Sequence, residues 1–384
     1  MKRIFFIFLF GLLVFDVTFA KDKRQESFRN VPKNVVIMIG DGMGIGSISG
    51  YYFSNTNANI IKFKNIGLMT TYADGSLITD SAAGGTAIAT GYKTKNGYIS
   101  MSSDGKPLET IMEVAKRKNK STGIVVTCSI THATPAVFYS HVSSRANEKQ
   151  IALFITNQVI DVAFGGGLNF FVSGVSGLNQ GYSEIGESYS NLVSGEENVD
   201  LLNIIKNLNY RIITNYEDFI SYSPNKFERV FALLEPLHLP SASSGNRKVS
   251  LADMTKKALE ILSKSRDGFV MMVEGSQIDW EAHGNNQKGV LIEMDDFDKA
   301  VGVVLDFAIK DGNTLVIVLS DHETGGIGIV GGVFGKNAVL RFLSKDHTGE
   351  MVPVFSYGPG SEKFIGIFDN TYVGRTLIDL VSQN

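Results

Sequence analysis

At 384 residues, with a formal net charge of −3 and 43% hydrophobic residues, the chain has the make-up of a globular protein with a large core. The near balance of 36 Lys+Arg against 39 Asp+Glu argues against nucleic acid as its main partner. A single cysteine, Cys128, excludes an internal disulfide, so outside the cell the fold must be held by its core, with or without metals.

Residues 1 to 20 differ in kind from the rest. Lys2 and Arg3 lead an apolar run from Ile4 to Phe15, which gives way to a stretch ending in Phe19-Ala20. This is the pattern of a secretory signal cleaved after Ala20, and it predicts a secreted or periplasmic protein. The run is too short to span a bilayer comfortably, and no Cys follows Ala20. With no later segment long and apolar enough to cross, no stable membrane anchor is expected.

After a polar lead-in, VVIMIGDGMG (35–44) reads as a strand buried on both faces, with Asp41 at its carboxyl end. Ligand-binding residues of parallel sheets sit at that end, although an aspartate between glycines is also a common turn residue. TDSAAGGTAIATG (79–91) reads as a helix start. A hydroxyl at Ser81 would lie among unpaired backbone N–H groups at the positive end of the helix dipole, a place that binds phosphate oxygens; the plainer reading of Ser81 is a helix N-cap.

PLETIMEVAKRKNK (107–120) predicts a helix that starts at its proline and ends in cations. GIVVTCSI follows as a strand, with Cys128 as a buried small hydrophobe. Further strands are predicted at 161–167, 210–215, 268–275 and 314–321, with helices at 250–265 and from Val290 to Ala308. Such alternation predicts an α/β fold: a doubly wound, mostly parallel sheet with helices on both faces. Residues 174–197, rich in Gly, Ser and Asn, read as a surface excursion, and 333–346 as a short link. No strong linker divides the chain, which favours one domain with surface insertions.

Acidic and histidine residues gather at the strand exits. In FVMMVEGSQIDWEAH (269–283) the strand ends at Glu274; Asp279 and His283, four apart, share one face of a helical turn and can reach one ion. The strand of TLVIVLSDHETGG ends at Asp321-His322, and His347 stands just before another strand. Carboxylates with imidazoles suit zinc; carboxylates with a hydroxyl and water suit magnesium. In CSITHATPAVFYSHVSSR (128–145), Thr134 is followed at a distance by Arg145, whose guanidinium suits a bidentate grip on phosphate, or, with no metal nearby, an exposed helix-start position. His238 has no acidic company and reads as structural.

Together GDGMG, TDSAA, HATPAVFYSHVSSR, DVAFGGG, MVEGSQIDWEAH, SDHETGG and HTG resemble alkaline phosphatases, in that family's order and over nearly the whole chain after the leader. The resemblance implies that residues 21–384 form one alkaline-phosphatase-like domain that hydrolyses small phosphate monoesters to inorganic phosphate. It implies Ser81 as the nucleophile that becomes phosphoserine and Arg145 as the phosphate-holding arginine. It further implies two Zn2+ and one Mg2+. Asp279, His283 and His347 match the ligands of the first zinc. Asp41, Asp321 and His322 match those of the second, which also holds the Ser81 oxygen. Asp41, Thr134 and Glu274 match those of the magnesium. Family members are commonly dimers, so a homodimer is allowed.

Two positions depart from the best-studied bacterial members: His132 stands in place of an aspartate, and Trp280 in place of a lysine. The first implies weaker magnesium binding; the second implies looser phosphate binding and faster release. Two other readings remain. A related phosphodiesterase or sulfatase fits less well, because Ser81 lies in DSAAGG and both Arg145 and Glu274 are present. A non-catalytic phosphate-binding protein fits poorly with a full set of matched residues.

Overall fold

The computed structural model describes residues 31–172 and 200–383. The predicted leader and the excursion at 174–197 lie outside the described residues.

A ten-stranded sheet organises the chain, in the order β14-β2-β13-β8-β1-β7-β3-β4-β6-β5. Its strands are β1 (Asn34–Gly40), β2 (Asn65–Thr70), β3 (Ser121–Ser129), β4 (Val162–Gly166), β5 (Tyr210–Ile213), β6 (Arg229–Leu233), β7 (Phe269–Gly275), β8 (Thr314–Leu319), β13 (Val352–Tyr357) and β14 (Gly366–Asp369). All neighbours are parallel except β13, which runs antiparallel to both β2 and β8. The expected doubly wound sheet with helices on both faces is therefore present, with one reversed strand.

Side-chain alternation along β1 builds both layers. Val35, Ile37 and Ile39 point into one core with Ala82 and Ile88 of the helix Ser81–Thr90 and Leu377 of the helix Asn370–Ser382. Val36 and Met38 point into the other, with Met254 and Leu262 of the helix Leu251–Leu262 and Met294 and Val301 of the helix Gln287–Asp311.

Two sequence expectations are corrected. The helix expected from Pro107 starts at Ile111, because Thr110 and Glu113 form a reciprocal capping box that fixes its end. Residues 333–346 are not a mere link: β11 (Asn337–Phe342) pairs antiparallel with β10 (Ile327–Val333), and this hairpin packs on the helix Ile45–Ser54. A two-residue pair, β9 (Glu323–Thr324) with β12 (His347–Thr348), then brings His347 beside the exit of β8.

Among the described residues, no helix is long and apolar enough to cross a membrane.

Candidate active site

Four adjacent central strands deliver the chemistry. In the order β8-β1-β7-β3, their carboxyl ends lead to Asp321 and His322, to Asp41, to Glu274 and Asp279, and to His132 and Thr134. Parallel register aligns these exits, with Ile39 beside both Leu319 and Glu274, and Glu274 beside Val126. The glycines of GDGMG permit the crowding. Gly42 has φ +67°, and a Cβ there would lie 2.7 Å from Thr324 Oγ1 and 2.8 Å from Asp279 Oδ1.

Ser81 is the first residue of its helix, and the N-cap is Asp80, whose side chain accepts from the Ala83 N–H at 2.9 Å. Capping thus falls to the neighbour and leaves the Ser81 hydroxyl free of that duty. Ser81 Oγ lies 3.2 Å from His322 Nε2. Arg145 reaches the same mouth, donating from Nη1 to Asp80 Oδ2 at 3.1 Å, with Nη2 3.4 Å from His132 Nε2.

Among the described residues, three groups of donor atoms could hold metal ions. In the first, Asp279, His283 and His347 converge: His347 Nε2 is 3.2 Å from His283 Nε2 and 3.6 Å from Asp279 Oδ1. His347 Nδ1 donates to the Thr79 carbonyl at 2.8 Å, and His283 Nδ1 is bonded to the Lys345 carbonyl. Those bonds place protons on Nδ1 and turn two Nε2 lone pairs toward one point, the arrangement of paired zinc ligands. Without a cation a proton takes its place: the Asp279 carboxylate pushes His283 up to about 9.

In the second group, Asp41, Asp321 and His322 are all fully buried. His322 Nε2 lies 3.4 Å from both Asp41 Oδ1 and Asp321 Oδ2, and neither oxygen has a hydrogen-bond partner. Burial first, then the charges of Asp321, Asp279 and Glu274, raise the Asp41 carboxyl far above its usual range. Burial holds His322 neutral, as a ligand must be. Two orphaned buried carboxylate oxygens around a neutral imidazole fit a divalent cation.

The third group joins Cys128, His132 and Glu274. Burial, the Arg145 charge and His238 lower His132 to about 3, so its ring is neutral. The expected Thr134 stands close by, its Oγ1 3.5 Å from Asp41 Oδ2. Asp41, Thr134 and Glu274 offer oxygens that fit magnesium; Cys128 and His132 offer sulfur and nitrogen that do not.

Several site neighbours escaped the sequence reading. Thr324 Oγ1 donates to Asp279 Oδ1 at 2.5 Å and lies 3.2 Å from His322 Nδ1, tying the first two groups together. Asp80 anchors Arg145. His238, read as structural, does accept a packing bond from the Ser129 N–H at 3.0 Å, but its ring also meets Trp280 at 4.7 Å and His132 at 5.9 Å. Only the short spacing of Asp80 to Ser81 and of Thr324 to His322 could have flagged any of these.

A family model described as alkaline phosphatase matches residues 32–340. The chain belongs to the alkaline phosphatase family. Alkaline phosphatase 3 of Bacillus subtilis is 32% identical, over 95% of this chain and 92% of that one. The Escherichia coli alkaline phosphatase is 29% identical, over 92% and 87%. Among solved structures, alkaline phosphatase from the Antarctic bacterium TAB5 superposes with a TM-score of 0.81 at 39% identity, covering 92% of this chain and 99% of that one. A TAB5 variant with a histidine changed to aspartate, solved with Mg bound in its M3 site, matches with a TM-score of 0.79 at 37% identity. Like other alkaline phosphatases, this chain is a phosphomonoester hydrolase with metal-binding groups, as the sequence motifs led one to expect.

Proposed function

We propose that the chain is an exported alkaline phosphatase that hydrolyses small phosphate monoesters through a phosphoserine at Ser81, with two zinc ions and a third metal. The observation that carries this reading is Ser81 itself: a buried hydroxyl in the first turn of a helix capped by its neighbour Asp80, 3.2 Å from a neutral histidine among orphaned carboxylates.

Asp279, His283 and His347 would hold one zinc and Asp41, Asp321 and His322 the other; when bound, such ions supply Lewis acidity toward attacking and leaving oxygens. Ser81 Oγ gives up its proton and forms a bond to phosphorus as the ester oxygen leaves as the alcohol. A water oxygen then forms the second P–O bond, the Ser81 O–P bond breaks, and inorganic phosphate departs. Arg145 donates two N–H groups to the non-bridging oxygens, and the free backbone N–H groups of the helix start add further donors there. Trp280, without a cation at that position, leaves Arg145 as the principal positive side chain on phosphate, so product release is fast.

Export rests on residues 1–20, with Ala20 as the last residue removed. Mass spectrometry of the mature N-terminus tests it: a chain retaining Met1 in the extracytoplasmic fraction would contradict cleavage.

The activity test uses an aryl phosphate monoester. Turnover disappears with chelator and returns with zinc, while Ser81→Ala loses both the burst and the steady-state rate. Full rates in Ser81→Ala would rule out the phosphoserine route. Diester turnover exceeding monoester turnover would move the chain's preference to the related phosphodiesterase class.

A further inference from the structure

His238 lies on the segment that leads from the exit of β6 to the helix Leu251–Leu262, and several bonds fix it in place. Its Nδ1 accepts from the Ser129 N–H at 3.0 Å, and the Leu239 N–H donates to the Thr127 carbonyl at 3.1 Å. Gln277 Nε2 donates to the carbonyls of Thr127 and Leu239, at 2.9 and 2.8 Å, and so ties the segment to the helix Gln277–His283. Further on, the buried guanidinium of Arg247 pairs with Asp296 at 2.6 Å and Glu293 at 3.1 Å, and donates to the Pro240 carbonyl at 2.8 Å. A satisfied polar network of this kind is rigid, so the half-buried His238 ring stands as a fixed wedge.

What the wedge meets is the phosphate side of the site. The rings of His238, Trp280 and His132 pack edge-to-face in a triangle, with centroids 4.7 Å apart for His238 and Trp280 and 5.9 Å apart for the other two pairs. Their planes cross at 70°, 77° and 90°, the tilts and separations at which aromatic pairs attract. His132 Nε2 lies 3.4 Å from Arg145 Nη2, and because a guanidinium only donates, His132 is the acceptor. Arg145 is thus held through Nη1 by Asp80 and through Nη2 by His132. We propose that His238 is a positioning residue for phosphate: its ring holds Trp280 and His132, and His132 holds the Arg145 guanidinium in the orientation that grips the non-bridging oxygens. The proposal rests on Arg145 as the phosphate-holding arginine and adds a residue that never touches substrate. Without the His238 ring, Trp280 and His132 turn into the vacated space, and a guanidinium left on one anchor swings.

The test separates the two contacts of the imidazole in the mature, metal-loaded enzyme. His238→Asn keeps an acceptor for the Ser129 N–H and removes the ring; His238→Phe keeps a ring and removes the acceptor. Trp280 is the only tryptophan of the chain, so intrinsic fluorescence reads its surroundings directly. In His238→Asn the emission should move to longer wavelength and become more open to acrylamide quenching. KM for an aryl phosphate monoester and the inhibition constant for inorganic phosphate should rise together by about tenfold, with kcat within about twofold, the pattern of lost uniform binding. His238→Phe should keep the wild-type emission, with KM and phosphate inhibition within about twofold, and should melt at lower temperature because the Ser129 N–H is left unpaired. Wild-type emission and phosphate inhibition in His238→Asn would overturn the proposal. So would an equal loss of phosphate affinity in His238→Phe, since the acceptor and not the ring would then matter. Either variant decides the question if the other fails to fold. Arg145→Ala is the control: phosphate inhibition unchanged in it would overturn Arg145 as the phosphate-holding arginine and the role of His238 with it. Weakened inhibition in Arg145→Ala beside an unchanged His238→Asn would overturn the role of His238 alone.

Discussion

One oxygen of Asp80 caps the helix that begins at Ser81, and the other accepts from Arg145 Nη1 at 3.1 Å and from the Gly97 N–H at 3.0 Å. A single carboxylate therefore sets the direction of the Ser81 helix and the position of the arginine at the same mouth. Both partners of the ion pair are partly exposed, with side chains at 29% and 21%, so the pair adds little stability by itself. Its value lies in holding a flexible guanidinium still. Asp80→Ala should lower stability by about 1 kcal/mol through the lost cap, and should raise KM and the inhibition constant for inorganic phosphate about tenfold. Steady-state kinetics with phosphate inhibition, beside thermal melting, separate the two roles. Lowered stability with unchanged phosphate inhibition would reduce Asp80 to a cap.

Gly84 and Gly85 lie side by side in that helix but face different neighbours. A Cβ on Gly84 would sit 2.7 Å from the backbone oxygen of Asp321, whereas one on Gly85 would sit 3.0 Å from Val137 Cγ2, a side-chain methyl. Backbone yields less than a side chain, so Gly84→Ala must push the helix away from the Asp321-His322 exit. The expected cost is about 1–3 kcal/mol, with a loss in kcat/KM of roughly 100-fold as Ser81 shifts. Gly85→Ala should lose much less activity. Equal activities in the two variants would mean that the helix position against Asp321 does not govern turnover.

What the sequence made legible follows from how local each signal was. β1 is buried at every position, so its unbroken apolar run announced it. β2, NIGLMT, is half exposed and lacks such a run, and the short β6 begins with Arg229, so neither stood out. The β10–β11 hairpin is largely exposed and rich in glycine, which disguised it as a link. At the site, motifs carried Asp41, Ser81, Asp279, His283, Asp321 and His322, because each follows close on a buried strand, opens a helix, or shares one face of a helical turn with a partner four residues away. Thr324 and Cys128 were missed as site neighbours because their partners come from far along the chain: Asp279 is 45 residues from Thr324, and Glu274 is 146 from Cys128. Tertiary packing, not local pattern, makes those contacts.

Metal removal should expose a pH dependence set by the buried carboxyls. Burial, and then the Asp321 charge, push Glu274 up to about 8 from its ordinary 4.5 in the metal-free fold. Such a group binds a proton in the native state that the unfolded chain releases, so native stability falls as pH rises from about 4.5 toward 8. Chelated protein should therefore melt at progressively lower temperature between pH 5 and 8, by an amount on the order of a few kcal/mol, while Glu274→Gln flattens this slope. Zinc restoration near neutral pH should release protons, visible as a calorimetric heat that changes with the buffer's ionisation enthalpy. A chelated wild type that follows the Glu274→Gln profile would contradict the raised carboxyl.

Away from the metals, His141 and Glu113 form a second pH-sensitive contact, with Nε2 3.0 Å from Glu113 Oε1 and Nδ1 3.0 Å from the Ser100 carbonyl. Burial opposes the charge on His141, but the hydrogen bond and charge of Glu113 outweigh it and raise its pKa above 6.5. Burial likewise opposes the Glu113 charge, and the His141 hydrogen bond and charge lower its pKa below 4.5. The histidine's contribution is fully present below about 6.5 and is lost as pH rises through its raised value; the glutamate's is present above about 4.5 and is lost as pH falls through its lowered value. Both are complete only between those limits. His141→Gln should thus cost on the order of 1–2 kcal/mol in denaturant unfolding at pH 5.5, and clearly less at a second, alkaline pH above the raised value of the imidazole. Equal losses at the two pH values would show that His141 acts through packing against Phe154, whose ring centroid lies 5.8 Å away, and not through charge.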